Sequence, residues 1–282
     1  MNTKRKVWRK NLYENEDYPD NYTDPTFLKD LKTNLHVQFY TLNEVIQGVT
    51  VLNNQISCIT AFLIIFYAMY SERASPTEIL WPSFLMTIVG YIYFRRKHLN
   101  LTIVVEDSKT LLAVLLFGYL FAPILHTLTD AVSTDTIFSM TFIVMFLNLI
   151  FCDYGLSVAM VSKTISLNAA IFGSICLASR LSTSYHAFVL LVEAAIFFAL
   201  YPIVTKEYWR YYMLLPIFVA CSYCLYFISV NVLWIYVSVT LFINILCPCI
   251  FVIQQRHKHN IHGPWDEAIV EETTDDNIDI KL

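Results

Sequence analysis

Two carboxylates, Asp130 and Asp135, stand inside the run TLTDAVSTDT (residues 127–136), among serine and threonine hydroxyls. Carboxylates so placed could divide as general acid and base, or share a divalent metal. The competing chemistry is capping. Ser133 or Thr134 ahead of a helix beginning near Asp135 would accept a free N–H, and an acid in the first turn suits the helix dipole. The spacing favours capping. Asp153 and Tyr154, in FCDYG, are placed for a lipid headgroup or a partner, although a tyrosine at a membrane boundary ordinarily anchors. Asn168 lies in an apolar run and can hydrogen-bond across helices. His186 heads the next run, where satisfying a loop carbonyl is a simpler role than holding a ligand. Glu193 is the one acid well inside an apolar run, at a cost of about 2.5–3.5 kcal/mol on insertion scales. Cys221 and Cys224 have the gap of a redox or zinc pair. No His or Cys group of matching spacing accompanies them, so all seven cysteines read as packing residues.

The elements that must position these residues are membrane spans. Of 282 residues, 56% are hydrophobic and only 15% charged, against roughly 25% charged in soluble chains. The charge gathers at the ends, basic near Lys4, Arg5, Lys6, Arg9 and Lys10, and acidic from Asp266 to Asp279. Crossing hydrocarbon takes about twenty apolar residues. Eight segments qualify, some only with their flanks, near 50–70, 79–94, 110–128, 136–152, 164–179, 186–204, 211–229 and 232–253. The fold class is therefore all-α, a polytopic integral membrane helical bundle of about eight transmembrane helices, with segments 1–49 and 255–282 outside the 50–254 bundle. The first forty residues hold no apolar run of signal-peptide length, so the first span is expected to direct insertion.

The Lys and Arg bias gives orientation. With the amino terminus inside, Arg95, Arg96, Lys97, Lys109, Lys163, Lys206 and Arg210 fall on inner loops, and only Arg73 and Arg180 on outer ones. Both termini are then cytosolic. Asp24 and Pro25 form a helix-start pair, and Phe27, Leu28, Leu31, Leu35 and Phe39 recur at helical spacing, which predicts an amphipathic helix ahead of the first span. Within the fifth span Ala170, Ser174 and Ala178, with Gly173 beside them, make a small-residue face for a helix of this chain or of a partner. Past the last span Gly263 and Pro264 turn the chain, and Trp265 offers an amphipathic surface for the membrane or a partner.

The polar groups between the apolar runs carry a resemblance as well. FAPILHTLTDAVSTDTIFSM (121–140), FCDYG (151–155) and SLNAAIFGSICLASRLSTSYHAF (166–188), with LYENEDYPDNYTDPTFLKDL (12–31) and NIHGPWDEA (260–268), resemble the PIG-C family over nearly the full length. The resemblance implies membership of the complex that transfers N-acetylglucosamine from its UDP-sugar to phosphatidylinositol at the cytosolic face of the endoplasmic reticulum, the first step of glycosylphosphatidylinositol (GPI) anchor synthesis. It also implies that catalysis belongs to a partner subunit with a soluble glycosyltransferase domain. The implied partners are the other subunits of that complex and phosphatidylinositol, with no nucleic acid. The family pattern carries an apolar residue where Glu193 stands and lysine where His126 stands, so these two are read as private to this chain.

The sequence has six glycines, none grouped into a phosphate loop, and no HExxH or GxSxG motif. No cofactor, metal or catalytic residue is expected. Asp130, Asp135, Asp153, Tyr154, Asn168, Gly173, Ser174, His186 and Trp265 are instead candidate contacts to subunits or lipid. Two other classes compete. A lipid transporter or scramblase would line a path with polar residues, for which Asn148, Asn168, Glu193 and Asn244 are few and scattered. A stand-alone membrane transferase would centre on Asp130 and Asp135.

Overall fold

The computed structural model describes residues 18, 19, 22, 32, 33, 39–96, 101–129, 131–154, 163–204, 214–258, 261 and 262. These form a helical bundle, accompanied by one short antiparallel strand pair. The helices are α1 (Leu42–Tyr70), α2 (Pro76–Arg95), α3 (Leu101–Thr127), α4 (Thr134–Phe151) and α5 (Lys163–Ala178). There follow α6 (Ser184–Ala195), which continues through a π turn at Ile196–Leu200 into α7 (Tyr201–Val204), and then α8 (Leu214–Ile228). Last come α9 (Val230–Leu241), a second π turn at Phe242–Leu246, and α10 (Cys247–Gln254). Six of these helical stretches are long and apolar enough to cross a membrane: Leu42–Tyr70, Pro76–Arg95, Thr102–Thr127, Thr134–Phe151, Ser184–Val204 and Val230–His257. Thr164–Ala178 and Leu214–Ile228 are shorter apolar helices.

Local chemistry sets the starts. Thr41 and Glu44 form a capping box at α1, with Thr41 N donating to Glu44 Oε2 at 2.8 Å and Glu44 N to Thr41 Oγ1 at 3.4 Å. This begins α1 eight residues before the expected span. Ser75 and Glu78 repeat the device at α2, where Pro76 occupies the first helical position. Ser133 caps α4, accepting from Thr136 N at 3.4 Å, with Asp135 in the first turn. α3 starts well before the expected 110, because its charged first turns are held as helix: Asp107 Oδ2 accepts from Arg95 Nη2 at 2.9 Å and from Tyr91 at 2.7 Å, tying α3 to the end of α2. The break between the last two spans falls at Ser229.

α1 is the buried axis of the bundle. Cys58, Phe62, Phe66 and Met69 are buried along it, and Phe62 meets Phe198 with ring centroids 5.3 Å apart. α4 and α5 form the most extensive helix pair, while α2 and α3 both pack on α6. The outside is apolar: Trp81 is 66% exposed and Phe142 75%. The inside carries Asn53, Asn54, Gln55, Asn148, Ser166 and Glu193. Polar side chains inward and large apolar ones outward is the distribution that hydrocarbon, not water, stabilises.

The chain divides into two compact units, residues 41–252 and a second made from residues 1–40 with 253–282. In the second unit Lys32–Thr33 pairs antiparallel with Ile261–His262, in register Lys32 to His262 and Thr33 to Ile261. Beside it Tyr40 N donates to Gln255 Oε1 at 3.0 Å, and Gln255 Nε2 to Tyr40 O at 2.9 Å. The amphipathic helix expected around Phe27 to Phe39 falls largely outside the described residues. At Lys32 and Thr33 the backbone is extended instead, because those residues pair across the chain ends.

Candidate functional site

Three adjacent amides in VLNNQIS give α1 its polar face. Helical geometry fans Asn53, Asn54, Gln55 and Ser57 toward different neighbours, since consecutive residues lie about 100° apart. Gln55 Nε2 donates to Asn148 Oδ1 of α4 at 2.8 Å. Asn148 Nδ2 in turn donates to Ser166 O of α5 at 2.8 Å and to Ser166 Oγ at 2.9 Å, and Ser166 Oγ donates to Asn148 O at 3.0 Å. On other sides Tyr201 of α7 donates to Asn54 Oδ1 at 2.7 Å, and the hydroxyls of Ser57 and Tyr236 of α9 share a bond of 2.8 Å. Cys221 Sγ of α8 reaches Ser57 O at 3.6 Å. One polar layer thus pins α1 to helices on several sides. Gln55, Asn54, Ser57 and Asn148 are bonded to other helices of the chain, while the buried Asn53 Oδ1 has no partner, and Asn148 is 1% exposed, so the layer is a fastening.

Sequence reasoning missed Asn53, Asn54 and Gln55. Their signal was present, as three amides in a row inside the expected 50–70 span. Asn148, counted as scattered, belongs to this layer.

A second set of bonds joins the helix ends at the loops after α3 and α5. His126 Nε2 contacts Leu181 O at 2.8 Å, and Arg180 bridges Ser179 Oγ, at 3.3 Å, and the carbonyl of Thr129. The loop carbonyl expected for His186 is therefore taken by His126. His186 Nδ1 bonds the hydroxyl of Thr183 at 2.7 Å, and that hydroxyl also caps α6. Asp135 is exposed in the first turn of α4, and Asp130 and Trp265 lie outside the described residues. Asp153 is half-buried just past α4. Tyr154 donates to Leu149 O of the same helix, and burial pushes its phenol well above the ordinary range, so it acts as a neutral donor.

Gly173 and Ser174 are buried within the bundle. A Cβ on Gly173 would stand 3.0 Å from Met145 Cε of α4, and Ser174 Oγ donates to Ala170 O at 2.7 Å. Their small-residue face packs within this chain, with Gly173 against α4. Asn168 points the other way and is exposed. Glu193 is 0% exposed on α6, with Ser83 of α2 close by, yet neither carboxyl oxygen has a hydrogen-bond partner of good geometry. Cys221 is buried while Cys224 is exposed, so the pair does not converge on a common site. Among the described residues no three His, Cys, Asp or Glu side chains group to hold a metal.

An apolar exterior, capped helices of membrane length and an interior tied by amides and hydroxyls define a polytopic helical membrane protein. Comparison with known sequences supplies its relations. The GPI2 family model, described as Phosphatidylinositol N-acetylglucosaminyltransferase, matches residues 8–266, and the chain belongs to that family. It is 37% identical over 284 residues to the human C subunit of phosphatidylinositol N-acetylglucosaminyltransferase, covering 96% of this chain and 95% of the relative. The Dictyostelium discoideum protein named as the putative C subunit of that enzyme is 36% identical, covering 93% of this chain and 79% of its own length. The Schizosaccharomyces pombe GPI2 subunit of the same enzyme is 28% identical, covering 94% and 87%. No solved structure matches the chain.

Proposed function

We propose that this chain is the C-type membrane subunit of a phosphatidylinositol N-acetylglucosaminyltransferase, acting in the first step of GPI-anchor synthesis as a non-catalytic scaffold in the endoplasmic reticulum membrane. The observation that carries the scaffold role is the polar layer around α1. The buried amides of Asn54, Gln55 and Asn148 are engaged in fixing helix positions, leaving a rigid body whose outer faces meet lipid and other subunits. The shallow hollow on α8, lined by Leu215, Pro216, Val219, Ala220 and Tyr223, offers one hydroxyl and no cation to a sugar diphosphate. Donor binding and transfer then belong to a partner with a soluble glycosyltransferase domain.

Both termini are assigned to the cytosolic side. Pairing of Lys32–Thr33 with Ile261–His262 supports one side for both, and the Lys and Arg bias supports the cytosol. Asp153 and Tyr154 then lie at the cytosolic boundary, where they help present the phosphatidylinositol headgroup. The test is purification of the tagged chain in mild detergent with identification of what accompanies it. Recovery of a glycosyltransferase subunit in constant ratio supports the scaffold. A chain that elutes alone from membranes active in transfer refutes it.

A further inference from the structure

We infer that the outward face of α5, centred on Asn168, is a docking surface for a transmembrane helix of another subunit that carries a hydrogen-bonding side chain. The inference rests on the scaffold reading and names where one partner sits. Thr164, Asn168, Ile171, Phe172 and Ile175 recur at helical spacing, opposite the buried Ser166, Ala170, Gly173, Ser174 and Leu177. Thr164, Asn168, Ile171 and Phe172 are exposed.

The amide is the informative member. In the same bundle Asn54, Gln55 and Asn148 are buried and bonded to other helices, and Asn244 bonds the carbonyl of Thr240 at 2.8 Å. Asn168 has no hydrogen-bond partner among the described residues. Nor does a headgroup reach it. α5 lies along α4, joined by Asn148 to Ser166 near one end and by Met145 against Gly173 further in. Its 16 residues span roughly 24 Å, less than the roughly 30 Å of hydrocarbon, and the first of its two ends is Lys163, at the inner-loop boundary. Asn168 is roughly 7 Å further in from that end. An amide there faces hydrocarbon unless another helix supplies a donor or acceptor, and a span too short for its bilayer is relieved by association. A phosphate or sugar headgroup would instead require the amide at the boundary.

The test uses the full chain in its native membranes, with a benzophenone amino acid replacing Phe172 and, separately, the variants Asn168→Leu and Asn168→Gln. Mild-detergent extracts are compared for photo-crosslinks and for the subunits that co-purify. The inference expects Phe172 to crosslink to a membrane-spanning peptide of another subunit, with a polar residue within a turn of the linked position. It expects Asn168→Leu to weaken retention of that subunit about tenfold, while Asn168→Gln retains it. The elution profile of the variant chain, unchanged from the wild type, separates lost docking from lost folding. Crosslinks to lipid alone, or full retention by Asn168→Leu, overturn the inference and leave the scaffold reading standing. A wild-type chain that retains no subunit removes both.

Discussion

Replacing Asn148 by leucine tests the fastening layer directly. Leucine keeps the branching of asparagine at Cγ, so packing is disturbed less than hydrogen bonding. The substitution removes the bond from Gln55 Nε2 and the two to Ser166 O and Oγ, all between 2.8 and 2.9 Å, in a site 1% exposed. Side-chain hydrogen bonds within membranes average about 0.6 kcal/mol, giving about 2 kcal/mol for three. Stranding the Gln55 amide adds about 1 kcal/mol or more. The expected loss is about 3 kcal/mol for Asn148→Leu and about 1 kcal/mol for Gln55→Leu. In the double variant no donor is stranded and the shared Gln55–Asn148 bond is lost only once, so its loss is about 2 kcal/mol and falls short of the sum by about 2 kcal/mol. The assay is unfolding of the purified chain by titrating SDS into mild detergent, followed by tryptophan fluorescence. Additive losses, or a single-variant loss below about 0.5 kcal/mol, would mean that the layer does not fasten α1 to α4 and α5.

Three further outcomes follow from the same geometry. Gly173→Leu and Ser174→Leu force α5 from α4 and lower stability by about 1–3 kcal/mol, whereas Gly173→Ala costs little because Met145 Cε, 3.0 Å away, is the end of a flexible side chain; SDS titration ranks the three. Ser133→Ala removes the α4 cap at a cost of about 1 kcal/mol, while Asp135→Asn keeps the assembled complex active, and loss of transfer by a stable, assembled Asp135→Asn would revive a direct role for the carboxylate. The sequons Asn21-Tyr22-Thr23 and Asn100-Leu101-Thr102 face the cytosol in the proposed topology and stay unglycosylated; an endoglycosidase-sensitive gel shift abolished by Asn100→Gln would put that loop in the lumen and Asp135 on the cytosolic face.

Much of this fold is legible because hydrocarbon imposes a simple rule on each span. Apolar runs gave helix positions, and Ser133 ahead of Asp135 reads as a cap in sequence and serves as one. Family membership was legible from the polar groups between runs. Starts of α1 and α3 were harder. Thr41 and Glu44 do carry a capping-box spacing, but the residues after them are too polar to register as a span. Glu106, Asp107 and Lys109 resemble a loop until Arg95 and Tyr91 of the preceding helix are known to hold Asp107. Roles that depend on distant partners were invisible: His126 and not His186 meets the loop carbonyl because Leu181, 55 residues away, is brought to it. The direction of a polar residue within a span was equally hidden. Asn148 and Asn168 look alike in sequence, and only packing turns one inward and the other out.

The central claim is that this chain organises a transferase without performing the transfer. It is tested most directly by incubating labelled UDP-N-acetylglucosamine and phosphatidylinositol with the chain purified alone, and in parallel with the complex recovered through the same tag. The account predicts labelled glycolipid from the complex and none from the chain alone. Product formed by the isolated chain, and abolished with it by a substitution in that chain, would contradict it.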